Sequence, residues 1–146
     1  MKRPLFDTNV FLNYGSLITN DELARSTMSI VVMYELLATT NGQSQSQRYD
    51  AVRNLYLKMG KLLVPTGNDW WEAAKLVARL RFGEKSARGG KTPPLPDAQR
   101  LQNDVLIART AVLNGCYVVT SNVDDFQFIQ TYLQRLVVVN ARDYFS

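Results

Sequence analysis

Five short apolar runs, each separated from the next by a segment of helical period, constrain this chain more than any other feature. Residues 2–6 ("KRPLF"), 29–32 ("SIVV"), 61–65 ("KLLVP"), 116–120 ("CYVVT") and 135–139 ("RLVVV") read as strands. Between them, Thr8 or Asn9 caps a helix to about Tyr14, and Asn20, Asp21 and Glu22 open a short one. "MYELLA" reads as a helix with Glu35 in its first turns, "NGQSQSQ" as a polar loop, and "RYDAVRNLYLKMG" as a helix stopped by Gly60. Asn68 or Asp69 starts a strong helix, "SARGGKTPPLP" is a loop, and Asp97 caps a helix that Gly115 ends. A last helix spans "VDDFQFIQTYL". Strands alternating with helices predict an α/β fold: a three-layer α/β/α sandwich around a mostly parallel sheet. Residues 1–146 read as one domain, without a linker or repeat.

In such a sheet the carboxyl ends of the strands share one edge, and ligands bind in the crevice outside it. Asp7 follows the first strand, and the loop 122–125 follows "CYVVT". Asp104 lies beside "VLIA", the most apolar part of its helix, and Glu35 opens another. Like charges within ~4–6 Å repel, and a buried unpaired charge costs several kcal/mol, so convergent acids call for a cation. Each acid also has a plain structural reading. Asp7 could cap the following helix, Glu35 could be solvated, and either Asp124 or Asp125 could be a helix N-terminal charge. Asp21, Asp50, Asp69, Asp97 and Asp143 read as caps or surface residues.

The chain contains no histidine. That removes Ser-His and Cys-His nucleophile pairs, imidazole acid–base chemistry and His-based zinc sites. Carboxylates around a hard ion, Mg²⁺ or Mn²⁺, remain as tools for a hydrolase. One cysteine, Cys116, excludes an internal disulfide and reads as core in a reducing cytoplasm. No apolar run approaches the roughly 18 residues of a membrane span, and no signal-peptide core is evident.

The net charge of +4 fits a polyanionic partner. Lys75, Arg79, Arg81, Lys85, Arg88 and Lys91 fall within 17 residues whose only acid is Glu84. They form either a solvated helix face and basic loop or a surface tracking RNA phosphates. Trp70 and Trp71, at a helix start, read as core or interface residues more readily than as base-stacking platforms.

Four blocks, "LFDTNVFLN", "SIVVMYELLAT", "NDVLIARTAVLNG" and "VVTSNVDDFQFI", together resemble the PIN-domain ribonucleases, and within them the VapC-type toxins of toxin–antitoxin pairs. The resemblance spans essentially the whole chain. It implies an acidic quartet, Asp7, Glu35, Asp104 and Asp125, that binds Mg²⁺ or Mn²⁺. Asp7 and Asp104 would be direct ligands. Glu35 and Asp125 would hold a second ion or a metal-bound water, with Asn122 ligating through its amide. Thr8, Asn9 and Thr120 would fix those carboxylates from behind. It further implies a homodimer, a cognate antitoxin, and hydrolysis of RNA by metal-activated water, leaving 5′-phosphate and 3′-hydroxyl ends. Asp124 beside Asp125 leaves the fourth acid ambiguous by one residue, and the segment 81–96 is longer than in compact members. Two other readings stay open. One is a PIN-like module that binds RNA or protein without cutting. The other is a phosphoacceptor receiver domain, which would need an acidic pair near the first strand and a phosphoacceptor where "KLLVP" ends in proline.

Overall fold

The computed structural model describes residues 2–87, 89 and 95–146, with the side chains of 84–87 and 95–97 outside the description. In chain order, β1 (Arg3–Phe6), α1 (Thr8–Tyr14) and α2 (Asn20–Arg25) lead into β2 (Met28–Ser29). Then come α3 (Ile30–Ala38), α4 (Gln43–Lys58), β3 (Leu62–Leu63), α5 (Gly67–Ala87) and α6 (Leu95–Leu113). The chain finishes with β4 (Cys116–Thr120), α7 (Val123–Gln130), β5 (Val138–Asn140) and α8 (Ala141–Tyr144).

β4 lies between β1 and β5, parallel to both, and β2 pairs in parallel with β3. A parallel bridge between Leu5 and Thr27, with the Thr27 N–H donating to the Pro4 carbonyl at 2.9 Å, joins the two ladders. The resulting order is β3-β2-β1-β4-β5. Neighbouring parallel strands need crossovers, and helices supply them here.

Alternation along the strands splits the core in two. Leu5 and Val118, opposite each other in the β1–β4 ladder, face a large cluster with Val32, Leu36, Tyr56, Leu80, Leu106 and Phe126. Phe6 and Val119, one residue further on, face a smaller cluster with Val10 of α1 and Ala141 of α8. The Tyr14 and Phe145 rings close that side, stacked at 5.2 Å. Each fully buried Val, Leu or Phe among these is worth roughly 1.5–3 kcal/mol. Two cores on two faces of one parallel sheet make the three-layer α/β/α sandwich.

Local boundaries differ from the sequence reading for identifiable reasons. Residues 30–32 are helical, not a strand: the Ser29 hydroxyl accepts the Val31 N–H at 3.1 Å and caps α3, ending β2 at Ser29. Burial of Val31, Val32, Met33 and Leu36 on that helix outweighs the β preference of the β-branched residues 30–32. The polar stretch from Gln43 is the first turns of α4, because glutamine propagates a helix well once Tyr49, Val52 and Tyr56 anchor it.

α5 starts at Gly67 because Thr66 and Asp69 cap it reciprocally. The Thr66 hydroxyl accepts the Asp69 N–H at 3.1 Å, and Asp69 accepts the Thr66 N–H at 2.8 Å. α5 runs on through Ser86 and Ala87, and α6 begins at Leu95, so Asp97 sits inside the first turn rather than at the cap. Gly89 apart, residues 88–94 of the expected loop lie outside the described residues. The short α8 has no counterpart in the sequence reading. Gly115, with φ +66°, ends α6 where a side chain would be strained.

Candidate active site

Chain order reverses between β1 and β4: from β1 the chain builds toward β2 and β3, and from β4 toward β5. The crevice outside their carboxyl ends is the usual ligand site of an open parallel sheet. Asp7 leaves β1 there, and Thr120 closes β4 beside it.

Asp7 is buried and held from three sides. Its Oδ1 accepts the Thr8 N–H at 2.8 Å. Its Oδ2 accepts the Thr120 hydroxyl at 2.8 Å and the Asn9 side-chain amide at 3.0 Å. The Thr120 oxygen in turn accepts the Asn122 N–H at 2.9 Å, and the Asn9 carbonyl oxygen accepts the Ser121 N–H at 3.0 Å. These bonds stitch α1 to the loop after β4. A carboxylate offers about four lone-pair sites. Among the described residues Oδ2 takes two hydrogen bonds and Oδ1 takes one, which leaves Oδ1 a lone-pair site for a further partner. Burial pushes the Asp7 carboxyl above its usual range, the bonds from Thr120, Thr8 and Asn9 pull it down, and the Glu35 charge adds to the rise.

Glu35, half-buried on α3, accepts the Thr8 hydroxyl at 2.8 Å, so Thr8 serves two acids, one through its backbone and one through its side chain. Asp104 projects from the middle of α6 and is 7% exposed. Burial raises its pKa to about 8, with the charges of Asp7, Glu35 and Asp125 adding to the rise and Arg100 opposing it. Asp104 thus lies within electrostatic reach of the other three quartet acids, and Asp7 within reach of Glu35. Arg100 stands one turn before Asp104 on α6. The sequence reading did not single it out, although i, i+4 spacing from Asp104 would have found it.

Asp125, in the first turn of α7, is half-buried and acts on Asp104, whereas Asp124 is exposed. Asn122, exposed, precedes α7 without using its side chain as a cap. Among the described residues, no three acidic or cysteine side chains close tightly enough to encircle an ion. In chemical terms the donor set suits a hard cation. It has oxygen ligands only, an open lone pair on Asp7, and a carboxyl on Asp104 that resists ionisation until positive charge arrives.

A cavity of about 590 Å³ between α1, α2 and α4, lined by Phe11, Ile18, Leu23, Arg48, Tyr49 and Val52, contains none of the four acids.

The basic residues divide. Arg79 lines a small cleft with Lys75, Arg109 and Tyr132, whereas Arg81 lines a different one with Trp70, Ala98 and Gln102. The side chain of Lys85, and Arg88 and Lys91 altogether, lie outside the described residues. Both tryptophans contradict the core reading: Trp70 is 47% and Trp71 65% exposed.

The chain matches no protein-family model and no curated protein sequence. Solved structures carry the same parallel α/β/α fold. The chain is similar to one in a DNA-bound VapBC from Salmonella typhimurium, at 22% identity and TM-score 0.55, covering 97% of this chain and 99% of that one. A chain of FitAcB from Neisseria gonorrhoeae gives 18% identity and TM-score 0.54, covering 95% and 98%. A chain of VapBC2 from Rickettsia felis, bound to a DNA fragment from its promoter, gives 19% and 0.51, covering 94% and 97%. The fold is therefore that of the VapC-type PIN proteins which the four sequence blocks resemble.

Proposed function

We propose that this chain is an Mg²⁺- or Mn²⁺-dependent endoribonuclease toxin, hydrolysing RNA phosphodiester bonds and neutralised by a cognate antitoxin. The observation that carries the reading is the meeting of Asp7, Glu35, Asp104 and Asp125 on one crevice, with Asp104 pushed to about 8 by burial and the other three. Asp7, through its open Oδ1 site, and Asp104 would be the direct ligands. Glu35, Asp125 and the Asn122 amide would complete the oxygen set. A bound divalent cation supplies a water nucleophilic at neutral pH and charge for the phosphate oxygens. Thr8, Asn9 and Thr120 hold Asp7 and Glu35 in place. The described residues contain no helix long and apolar enough to cross a membrane, in keeping with a cytoplasmic toxin. The VapBC and FitAcB neighbours are complexes, which supports an antitoxin partner; a homodimer belongs to the same reading.

A second reading, a PIN-like module that binds RNA or protein without cutting, draws on one observation: no three acids are gathered around a single point among the described residues. Cleavage of total RNA with Mn²⁺ or with EDTA separates the two. Wild-type protein is expected to cut only with metal, and Asp7→Asn and Asp104→Asn each to lose at least about a hundredfold in rate. Undiminished cleavage by either folded variant overturns the assignment. No metal-dependent cleavage at all would favour the module.

A further inference from the structure

The outer face of α5 carries exposed aromatic and cationic side chains. Trp71, Lys75, Ala78 and Phe82 fall at positions i, i+4, i+7 and i+11, which places them on one stripe of the helix. Trp71 and Phe82 are 65% and 67% exposed, so neither contributes a buried face to the core. Arg79 is exposed along the same edge, and across it the Tyr132 hydroxyl comes to rest against Gly83. Lys75 is tied to Glu72 at 2.9 Å, but an exposed i, i+3 pair is worth little and yields easily to a phosphate. From Trp71 to Phe82 the stripe runs about 16 Å, three helical turns.

An apolar protein partner would call for a contiguous greasy patch. Here the exposed rings are separated by cations, the arrangement that takes a single-stranded nucleic acid: bases stack on the rings while the backbone follows the charges. A duplex keeps its bases inward and offers the rings nothing. Because α6 runs antiparallel to α5, with Arg109 opposite Asp69, the Phe82 end of the stripe rises past the level of Asp104. We propose that this face of α5 is an exosite for single-stranded RNA, with Trp71 and Phe82 as stacking platforms and Lys75 and Arg79 as phosphate contacts. The inference deepens the nuclease reading, and rests on it for the choice of RNA.

The chain has two tryptophans, so full-length Trp70→Phe protein leaves Trp71 as the sole fluorescent reporter. In EDTA, a 12-nucleotide oligouridylate is expected to quench Trp71, and an RNA duplex of equal length to do so far more weakly. By anisotropy of a labelled oligouridylate, Trp71→Ala with Phe82→Ala should weaken binding at least about tenfold. Trp71→Phe should stay within about threefold, since a ring remains. No binding by the wild type, unchanged affinity in the double variant, or equal quenching by duplex overturns the exosite. So does a smaller species for the double variant in light scattering with RNA affinity intact, which would make the face an interface between protein copies. Cleavage is assayed separately with Mn²⁺. Trp71-dependent binding without any cleavage sustains the exosite and defeats the nuclease, and normal cleavage with Trp71-independent binding does the reverse.

Discussion

Asp69 and Asp104 are buried to almost the same degree, 8% and 7% exposed, yet their carboxyls are driven in opposite directions. Burial pushes Asp69 up, but the Thr66 N–H, the Arg109 guanidinium at 2.9 Å and the Thr66 hydroxyl together hold it below the usual carboxylate range. Asp104 sits deeper among surrounding atoms, so burial weighs more on it, and three neighbouring carboxylates add to the rise to about 8. Arg109 itself lies on α6, little more than a turn from Asp104, and turns toward Asp69. Surface exposure alone therefore does not decide what a buried acid is for; its depth and its partners do. A paired acid closes a helix start, while an unpaired acid beside three others is a site waiting for charge.

The largest expected effect is on stability against pH. Asp104 has a folded value near 8 against about 3.8 when exposed, so between those limits the folded state binds more protons than the unfolded. Stability then falls as pH rises through that window, and Asp7, also raised, adds to the fall. Asp69 works the other way: its contribution is present above about pH 4 and lost below. In EDTA, the melting temperature should decline from pH 5 to pH 8, and Mn²⁺ should restore it at pH 8 far more than at pH 5. Asp104→Asn should flatten both trends. A melting temperature in EDTA that climbs from pH 5 to pH 8 would erase the contrast between the two acids.

Removing the partner should turn Asp69 into a second Asp104. Arg109→Ala leaves a buried carboxylate with only its Thr66 bonds, and should cost about 3 kcal/mol in urea unfolding at pH 7. That is the low end for a buried pair, because the Arg109 side chain keeps 21% of its surface. Asp69→Asn in the same background should recover much of the loss, since the stranded charge is then gone. Equal stability of Arg109→Ala and wild type would mean that the ion pair does not set the difference.

The parts of this molecule legible from sequence are those fixed by local pattern. Alternation placed β1, β4 and β5 and the parallel sheet, and Asp7 stands at the end of its strand as "PLFD" suggests. What sequence missed depends on contacts between distant residues. The run Ile30-Val31-Val32 is helical because a serine cap and tertiary burial outweigh β propensity. Asp69 looked like a cap and is one, but nothing in its neighbourhood announces Arg109, 40 residues on. Trp70 and Trp71 read as core or interface, and their exposure removes only the core half of that reading, because apolarity carries no address. The Asn9–Ser121 bond, 112 residues apart in sequence, likewise emerges only once β1 and β4 pair. Between Asp124 and Asp125, sequence spacing was undecided; the turn of α7 leaves Asp124 exposed and brings Asp125 to bear on Asp104.

The smallest effect sharpens the comparison most, because it touches one hydroxyl. Thr120→Val keeps the shape of the buried side chain but removes the donor to Asp7 Oδ2 and the acceptor for the Asn122 N–H. A hydrogen bond to a charged group is worth about 1.5–3 kcal/mol, so the loss should be about 2 kcal/mol where Asp7 is ionised and smaller where it is protonated. The bond pulls the Asp7 carboxyl down; without it the carboxyl rises further, so the loss grows as pH rises through the range in which Asp7 ionises. Thr66→Ala, the matching change at Asp69, should cost about 1 kcal/mol equally at pH 5 and pH 8, since Asp69 is ionised throughout that range. Mn²⁺ affinity should fall about tenfold in Thr120→Val and stay unchanged in Thr66→Ala. If the two threonine variants respond alike to pH and to metal, the two buried acids are the same kind of group after all.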